Sequence, residues 1–177
     1  KMDLIARKLK LQPGMRVLDI GCGWGSLANY LSSNYDVNVV AVTPSAEGVR
    51  YIKEKFATND RLEAICADYR DISGKLSLGK FDRIAGIGVT EHVGHKNYRN
   101  FINICHRHLK DDGILLLHFI AANQEKSYYP RTECYIDKYV WPCGELPYQT
   151  DIVKAIEHKF VIEDWHNFGP DYWKTCH

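Results

Sequence analysis

The sequence predicts an α/β fold: a three-layer, Rossmann-like sandwich whose parallel sheet is covered by helices on both faces. Three observations carry that expectation. Short apolar runs alternate with amphipathic stretches, the pattern of consecutive βαβ units. The runs at 37–42 (VNVVAV) and 113–120 (GILLLHFI) are too uniformly apolar for half-exposed strands, so they belong to a sheet buried on both sides. The first run, VLDI at 17–20, passes directly into Gly21, Gly23 and Gly25, a strand-to-helix turn where such sheets take a ligand.

Each element follows from local pattern. Leu4, Ile5, Leu9 and Leu11 recur at helical spacing, giving an amphipathic helix from Met2 to Leu11 that Pro13-Gly14 ends. Arg16 to Ile20 is the first strand, and Ser26 to Ser33 the helix after the glycines. Val37 to Val42 is the second strand, and Ser45 is placed to cap a helix running to about Phe56. Leu62 to Ala67 and Phe81 to Ile87 are the third and fourth strands; a helix from Asn97 to Leu109 leads to the fifth, Gly113 to Ile120. From Ala121 to Pro147 the composition shifts to Tyr, Pro and Cys, with a short helical stretch at Ile136 to Val140. That segment reads as a structured insertion over the active site. Thr150 to Glu157 predicts a helix, and Phe160 to Trp165 (FVIEDW) a sixth strand.

Composition narrows the function. One domain with a substantial core is the expectation for 177 residues. The 23 Lys and Arg nearly balance the 22 Asp and Glu, so no nucleic-acid footprint is present, and no polybasic run marks a membrane surface. No apolar stretch has membrane-spanning length, and no signal peptide opens the chain. Cys22, Cys66, Cys105, Cys134, Cys143 and Cys176 form no CxxC pair, which fits a reducing, cytoplasmic setting. His92, His95, His106 and His108 lack the Cys or carboxylate partners of a familiar metal site, so no metal is expected.

The glycine spacing separates two nucleotide chemistries. A dinucleotide GxGxxG needs glycine at 26, where Ser26 stands, and a Walker loop needs a Gly-Lys-Ser/Thr that is absent. An acidic residue two places before GxGxG is the S-adenosylmethionine (SAM) version; the plainer alternative is a tight turn without a ligand. Asp19, Gly21, Cys22, Gly23 and Gly25 would then surround the methionine end of SAM, with Cys22 a small space-filler. Thr43 occupies the position at the end of the second strand where an acidic residue often grips the ribose, so weaker hydroxyl contacts from Thr43 and Ser45 are expected. Asp68 and Tyr69 follow the third strand, placed to bond the adenine amine and pack on its ring; a solvated turn is the alternative.

The segments KLKLQPGMRVLDIGCGWGSLANYLSSNYDVNVVAVTPSAE, ADYRDI, FDRIAGIGVTEHVGHKNY, GILLLHFI and FVIEDWHNFGPDY resemble, in order and spacing, the cyclopropane-fatty-acyl-phospholipid synthases and their mycolic acid relatives. That resemblance covers nearly the whole chain. It implies methylene transfer from SAM to the cis double bond of an unsaturated phospholipid acyl chain, at the inner face of a membrane that the enzyme touches peripherally. It also implies a bound bicarbonate as proton acceptor, held by Glu91, His118, Tyr172 and the backbone of Ile120. Judged by position alone, Glu91 lies at the carboxyl edge of the sheet, His118 is a lone polar residue in an apolar strand, and Tyr172 is a terminal aromatic.

Two residues depart from the family pattern: Gly48 stands where glutamine is common, and Thr90 where phenylalanine precedes the Glu-His-Val-Gly motif. Set against the family, residues 1–177 form a SAM-dependent methyltransferase domain truncated at both ends, without the antiparallel last strand that normally separates strands five and six. An unpaired sixth strand would favour a homodimer. Two other functions stay open: a SAM-dependent methyltransferase for a small amine or hydroxyl acceptor, and a non-catalytic SAM-binding fragment of a larger chain.

Overall fold

Five parallel strands in the order β3-β2-β1-β4-β5 carry the molecule. The structure, a computed structural model, describes residues 1–74, 76, 78–122 and 144–176. The strands are β1 (Arg16–Ile20), β2 (Asn38–Thr43), β3 (Leu62–Cys66), β4 (Phe81–Ile87) and β5 (Leu109–His118). Among the described residues the helices before, between and after them are α1 (Met2–Lys8), α2 (Ser26–Tyr35), α3 (Ala46–Lys55), α4 (Thr90–Val93), α5 (Tyr98–His108), α6 (Gln149–Ile156) and α7 (Gly169–Cys176).

Alternation along the strands sends side chains to two cores. Val17, Val39 and Ala41 meet Ala6 of α1 and Ala28 and Leu31 of α2 on one face. Leu18, Ile20, Val40 and Ile84 meet Phe101, Ile102 and Cys105 of α5 and Ile152 of α6 on the other. Burying both faces is what the uniformly apolar strands require, and a three-layer sandwich results.

Strand order reverses between β1 and β4, so their carboxyl ends open a crevice at the switch point. Register pairs Ile20 with both Val42 and Gly86, and Ile87 with His118. The turns after β1, β4 and β5 therefore emerge side by side. This adjacency positions the site.

Three expectations need correction. Phe160 to Trp165 forms no strand; Val161 there is 89% exposed. An extended segment needs a neighbour to take its N–H and C=O groups, and none of the described strands pairs with this one. The fifth strand begins at Leu109, four residues earlier than its apolar run, because a register shift between Phe81 and Arg83 admits the polar Lys110, Asp111 and Asp112. Finally, α7 folds where no helix was expected, and it contains Tyr172. Most of the insertion expected at 121–147, with its helical stretch at 136–140, lies outside the described residues.

Candidate active site

The glycine loop is built from backbone. The Gly21 and Cys22 N–H groups both donate to the Val42 carbonyl, at 2.8 and 3.1 Å, and Gly25 N–H returns to Cys22 O at 2.9 Å. Those bonds force left-handed turns: φ is +77° at Gly21, +55° at Gly23 and +75° at Gly25. The three glycines serve different ends. A Cβ on Gly25 would lie 2.6 Å from Ile52 Cγ1, so that glycine seats the loop on α3. A Cβ on Gly23 would meet nothing within 4 Å, so Gly23 faces the open side where a cofactor can approach the main chain.

Beside the loop, Asp19 is 1% exposed and its Oδ2 has no hydrogen-bond partner among the described residues. Burial alone raises its carboxyl pKa to about 7. A buried acid of this kind calls for a polar or cationic ligand group, and the ammonium of a SAM methionine end supplies one. Burial, and then the Asp19 charge, push the Cys22 thiol up to about 12, which removes reactivity and leaves a space-filling side chain.

The remaining cofactor candidates are partly engaged. Thr43 Oγ1 accepts from Ser45 N–H at 3.3 Å, and Ser45 Oγ caps α3 by accepting from Gly48 N–H at 3.0 Å. Each hydroxyl therefore keeps its proton free to donate. Asp68 forms a two-oxygen pair with the Arg70 guanidinium, at 2.7 Å on each side. That hydrogen bonding holds its carboxyl below the ordinary carboxylate range. Tyr69 packs edge-on against Phe101 at 5.2 Å. The Asp68–Arg70 pair thus closes the turn after β3, and contact with an adenine would require Asp68 to share its carboxylate with Arg70. Gly48 has a use of its own: a Cβ there would press to 2.8 Å from the Gly23 carbonyl oxygen.

On the other side of the crevice, side chains make the site. Glu91, on the short α4 turn after β4, is 2% exposed. Its Oε1 accepts from the Ile120 N–H at 2.9 Å, while Oε2 is buried without a partner among the described residues. His118 ends β5, stacked on Phe168 at 5.1 Å and Tyr172 at 6.0 Å. Its Nε2 lies 3.4 Å from the Tyr172 hydroxyl, and the Lys1 ammonium donates to that same hydroxyl at 2.9 Å. Lys1 takes one lone pair of the Tyr172 oxygen, so the hydroxyl can donate its proton to Nε2; in that arrangement the His118 proton sits on Nδ1. That Nδ1 is also buried without a described partner. Burial, then Lys1, lower the His118 pKa against the pull of Glu91, so the ring is neutral at neutral pH.

All four residues expected to hold an anion therefore come together: Glu91, His118, Ile120 and Tyr172. Sequence reasoning missed others. Thr90 Oγ1 and the Tyr98 hydroxyl are buried beside Glu91 in sequence or space, each without a described partner. Burial, then the Glu145, Asp151 and Glu91 carboxylates, raise the Tyr98 pKa. Thr90 was visible only as a departure from the family pattern, and Tyr98 looked like an ordinary aromatic at the start of α5. Two of the other histidines have structural partners: His108 lies 3.0 Å from Ser73 Oγ and 2.9 Å from Gly79 O, and His106 meets Phe160 edge-on at 5.5 Å. Among the described residues no three ligand side chains converge on a metal position. No described helix is long and apolar enough to cross a membrane.

Comparison with known proteins agrees with this fold. The profile of the family described as mycolic acid cyclopropane synthetase matches residues 1–177. The chain is similar to the cyclopropane-fatty-acyl-phospholipid synthase of Escherichia coli K12, at 46% identity over 175 residues, covering 99% of this chain and 44% of that protein. It is 32% identical over 189 residues to cyclopropane mycolic acid synthase 1 of Mycobacterium tuberculosis H37Rv, covering 99% and 64%. A mycolic acid cyclopropane synthase crystallised with SAH and CTAB matches its fold with a TM-score of 0.84 at 31% identity, over 98% of this chain and 64% of that one. The chain spans between under half and about two thirds of the length of these relatives.

Proposed function

The chain belongs to the mycolic acid cyclopropane synthetase family, with its SAM-dependent methyltransferase fold, and from that premise we propose its chemistry. It carries the SAM site and the anion site of an enzyme that transfers a methylene group from SAM to the cis double bond of an unsaturated phospholipid acyl chain. One observation supports this most. Glu91 Oε2 is a buried acceptor and His118 Nδ1–H a buried donor, both unpaired among the described residues and both at the mouth of the crevice. Bicarbonate presents the matching set, one O–H donor with acceptor oxygens.

SAM, when bound, supplies an electrophilic methyl group; bicarbonate, when bound, supplies a base for the proton that the new methyl must lose before the ring closes. The chain's own residues orient and shield. Asp19 holds the methionine end, while Gly23 lets the main chain approach it. Glu91 accepts from the anion's O–H, and the neutral His118 donates to one of its oxygens. Tyr172 keeps the imidazole in that tautomer. The stacked rings of Phe168 and Tyr172 cover His118 and exclude water from its face. Exposed Ile120, Leu146, Tyr172 and Trp173 give that side of the chain apolar surface for an acyl chain, which supports approach from a lipid surface.

Turnover on vesicles of cis-unsaturated phosphatidylethanolamine, measured across added bicarbonate, tests the reading. Cyclopropane product that rises with bicarbonate and is lost in Glu91→Gln is the expected result. Turnover of a small amine or hydroxyl acceptor that ignores both would contradict it.

A further inference from the structure

Glu145 lies outside every motif of the sequence, yet it touches the turn that carries Glu91 at three points. Its N–H donates to the Glu91 carbonyl oxygen at 2.8 Å. Its Oε2 accepts from the His95 N–H at 3.3 Å, and its Oε1 lies 2.7 Å from His95 Nδ1. Since a carboxylate only accepts, His95 carries a proton on Nδ1. Gly94, at φ +77°, reverses the chain between α4 and the 3₁₀ turn His95–Asn97, and so lets one carboxylate reach both the backbone and the ring of His95. Two residues beyond Glu145, the Pro147 carbonyl accepts from Ala122 N–H at 2.9 Å. Residues 145–147 thus grip both chains that meet in the Glu91–Ile120 hydrogen bond: the turn after β4 and the exit from β5.

We propose that Glu145 is a positioning residue for the anion site. With His95 as its partner it fixes the α4 turn, so that one Glu91 oxygen meets the Ile120 N–H and the other stays directed to the anion. The inference rests on reading Glu91, His118 and Ile120 as that site. The Glu145–His95 pair is half exposed, so its ion-pair energy is small and its effect is geometric. Geometry is enough, because a reacting group misplaced by about 1 Å loses on the order of 10² in rate.

Amide hydrogen exchange at Ile120 reads the position of Glu91 without any turnover. In Glu145→Ala, exchange at Ile120 accelerates about tenfold, the worth of one charge-assisted hydrogen bond, while the sheet amides of Leu18 and Ile84 keep their rates. Glu145→Gln restores much of that protection, since its amide oxygen still accepts from the His95 N–H. His95→Ala behaves like Glu145→Ala, and the double variant is no worse than either single one. In turnover, Glu145→Ala raises the bicarbonate concentration for half-maximal rate about tenfold for the same reason and leaves S-adenosylhomocysteine (SAH) affinity within about twofold. Unchanged exchange at Ile120 in Glu145→Ala overturns the proposal whatever the rate does. Faster exchange together with bicarbonate-independent turnover in the unsubstituted enzyme supports the positioning role and overturns the bicarbonate reading instead.

Discussion

The two sides of the crevice are made of different material. On the β1–β2 side the site is backbone: loop amides bonded to Val42 O, glycines at positive φ, and one buried acid. On the β4–β5 side it is mostly side chains from three separated stretches, with Glu91 accepting from the Ile120 N–H and the Tyr172 hydroxyl meeting His118. A backbone site is fixed once the strand pairing forms. A side-chain site is only as good as the most distant piece that completes it, here α7 and the segment at 145–147. Substitutions should therefore separate the two sides cleanly: cofactor affinity belongs to one, turnover and anion dependence to the other.

The largest expected effect is on the side-chain half. Glu91→Gln should lower turnover by 10²–10⁴-fold, on the order of a lost general acid–base group, with SAH affinity nearly unchanged. A comparable loss of SAH affinity would show that the halves are not separable.

Next is the fold of the backbone half. In Gly25→Ala the new Cβ meets Ile52 and the residue must hold φ +75°, for an overpacking cost of about 1–3 kcal/mol plus about 1–2 kcal/mol of left-handed strain. In Gly23→Ala only the strain remains. Urea midpoints of the two variants should fall in that order. Equal midpoints would mean that α3 gives way to the new methyl.

A smaller effect belongs to Tyr172. Removing its hydroxyl in Tyr172→Phe leaves the ring stack intact and frees His118 to change tautomer, for about a tenfold loss in turnover, the worth of roughly one hydrogen bond. The hydroxyl lies at the protein surface beside Lys1, so the melting temperature should not move. Retained full activity would make Tyr172 a packing residue alone.

The smallest is a pH effect. Asp19 is raised from 3.8 to about 7, so its contribution to stability is fully present below about pH 4 and is lost as pH rises through about 7. Ligand binding has the opposite sign. A cationic ammonium favours the ionised acid, so SAH affinity should climb from pH 5.5 to pH 8, by up to about tenfold per pH unit, and Asp19→Asn should flatten the curve. A flat profile in the unsubstituted chain would place Asp19 away from the ligand's charge.

How much of this the sequence carried follows the same divide. The glycine loop was legible because all its determinants lie within nine residues, 17–25, and its hydrogen-bond partner Val42 ends the next strand. The parallel sheet was likewise implicit in the βαβ alternation, although its strand order was not. Glu91 was legible as a position at a strand end and His118 as a lone polar residue in an apolar strand, but their pairing partners were not: nothing local links Glu91 to Glu145, or His118 to a tyrosine 54 residues later on a helix without a clear pattern. The family resemblance supplied Tyr172, and only the fold supplied Glu145. The sixth strand failed for a physical reason too. FVIEDW has strand-like residues, but strand formation is decided by a neighbour, and none of the described strands stands beside it. Asp68 looked free as a sequence position because the Arg70 two residues on gave no reason to expect a bidentate pair.

Calorimetric titration of SAH into the unsubstituted chain, Gly23→Ala and Glu91→Gln tests the division most directly. A Cβ at Gly23 meets no protein atom within 4 Å, so beyond the left-handed strain at φ +55° a loss of affinity there reports on the approach of the cofactor. The account predicts saturable binding to the unsubstituted chain and to Glu91→Gln, and binding weakened at least about tenfold in Gly23→Ala, the worth of a lost close backbone contact. Undiminished binding to Gly23→Ala, or its loss in Glu91→Gln, would contradict it.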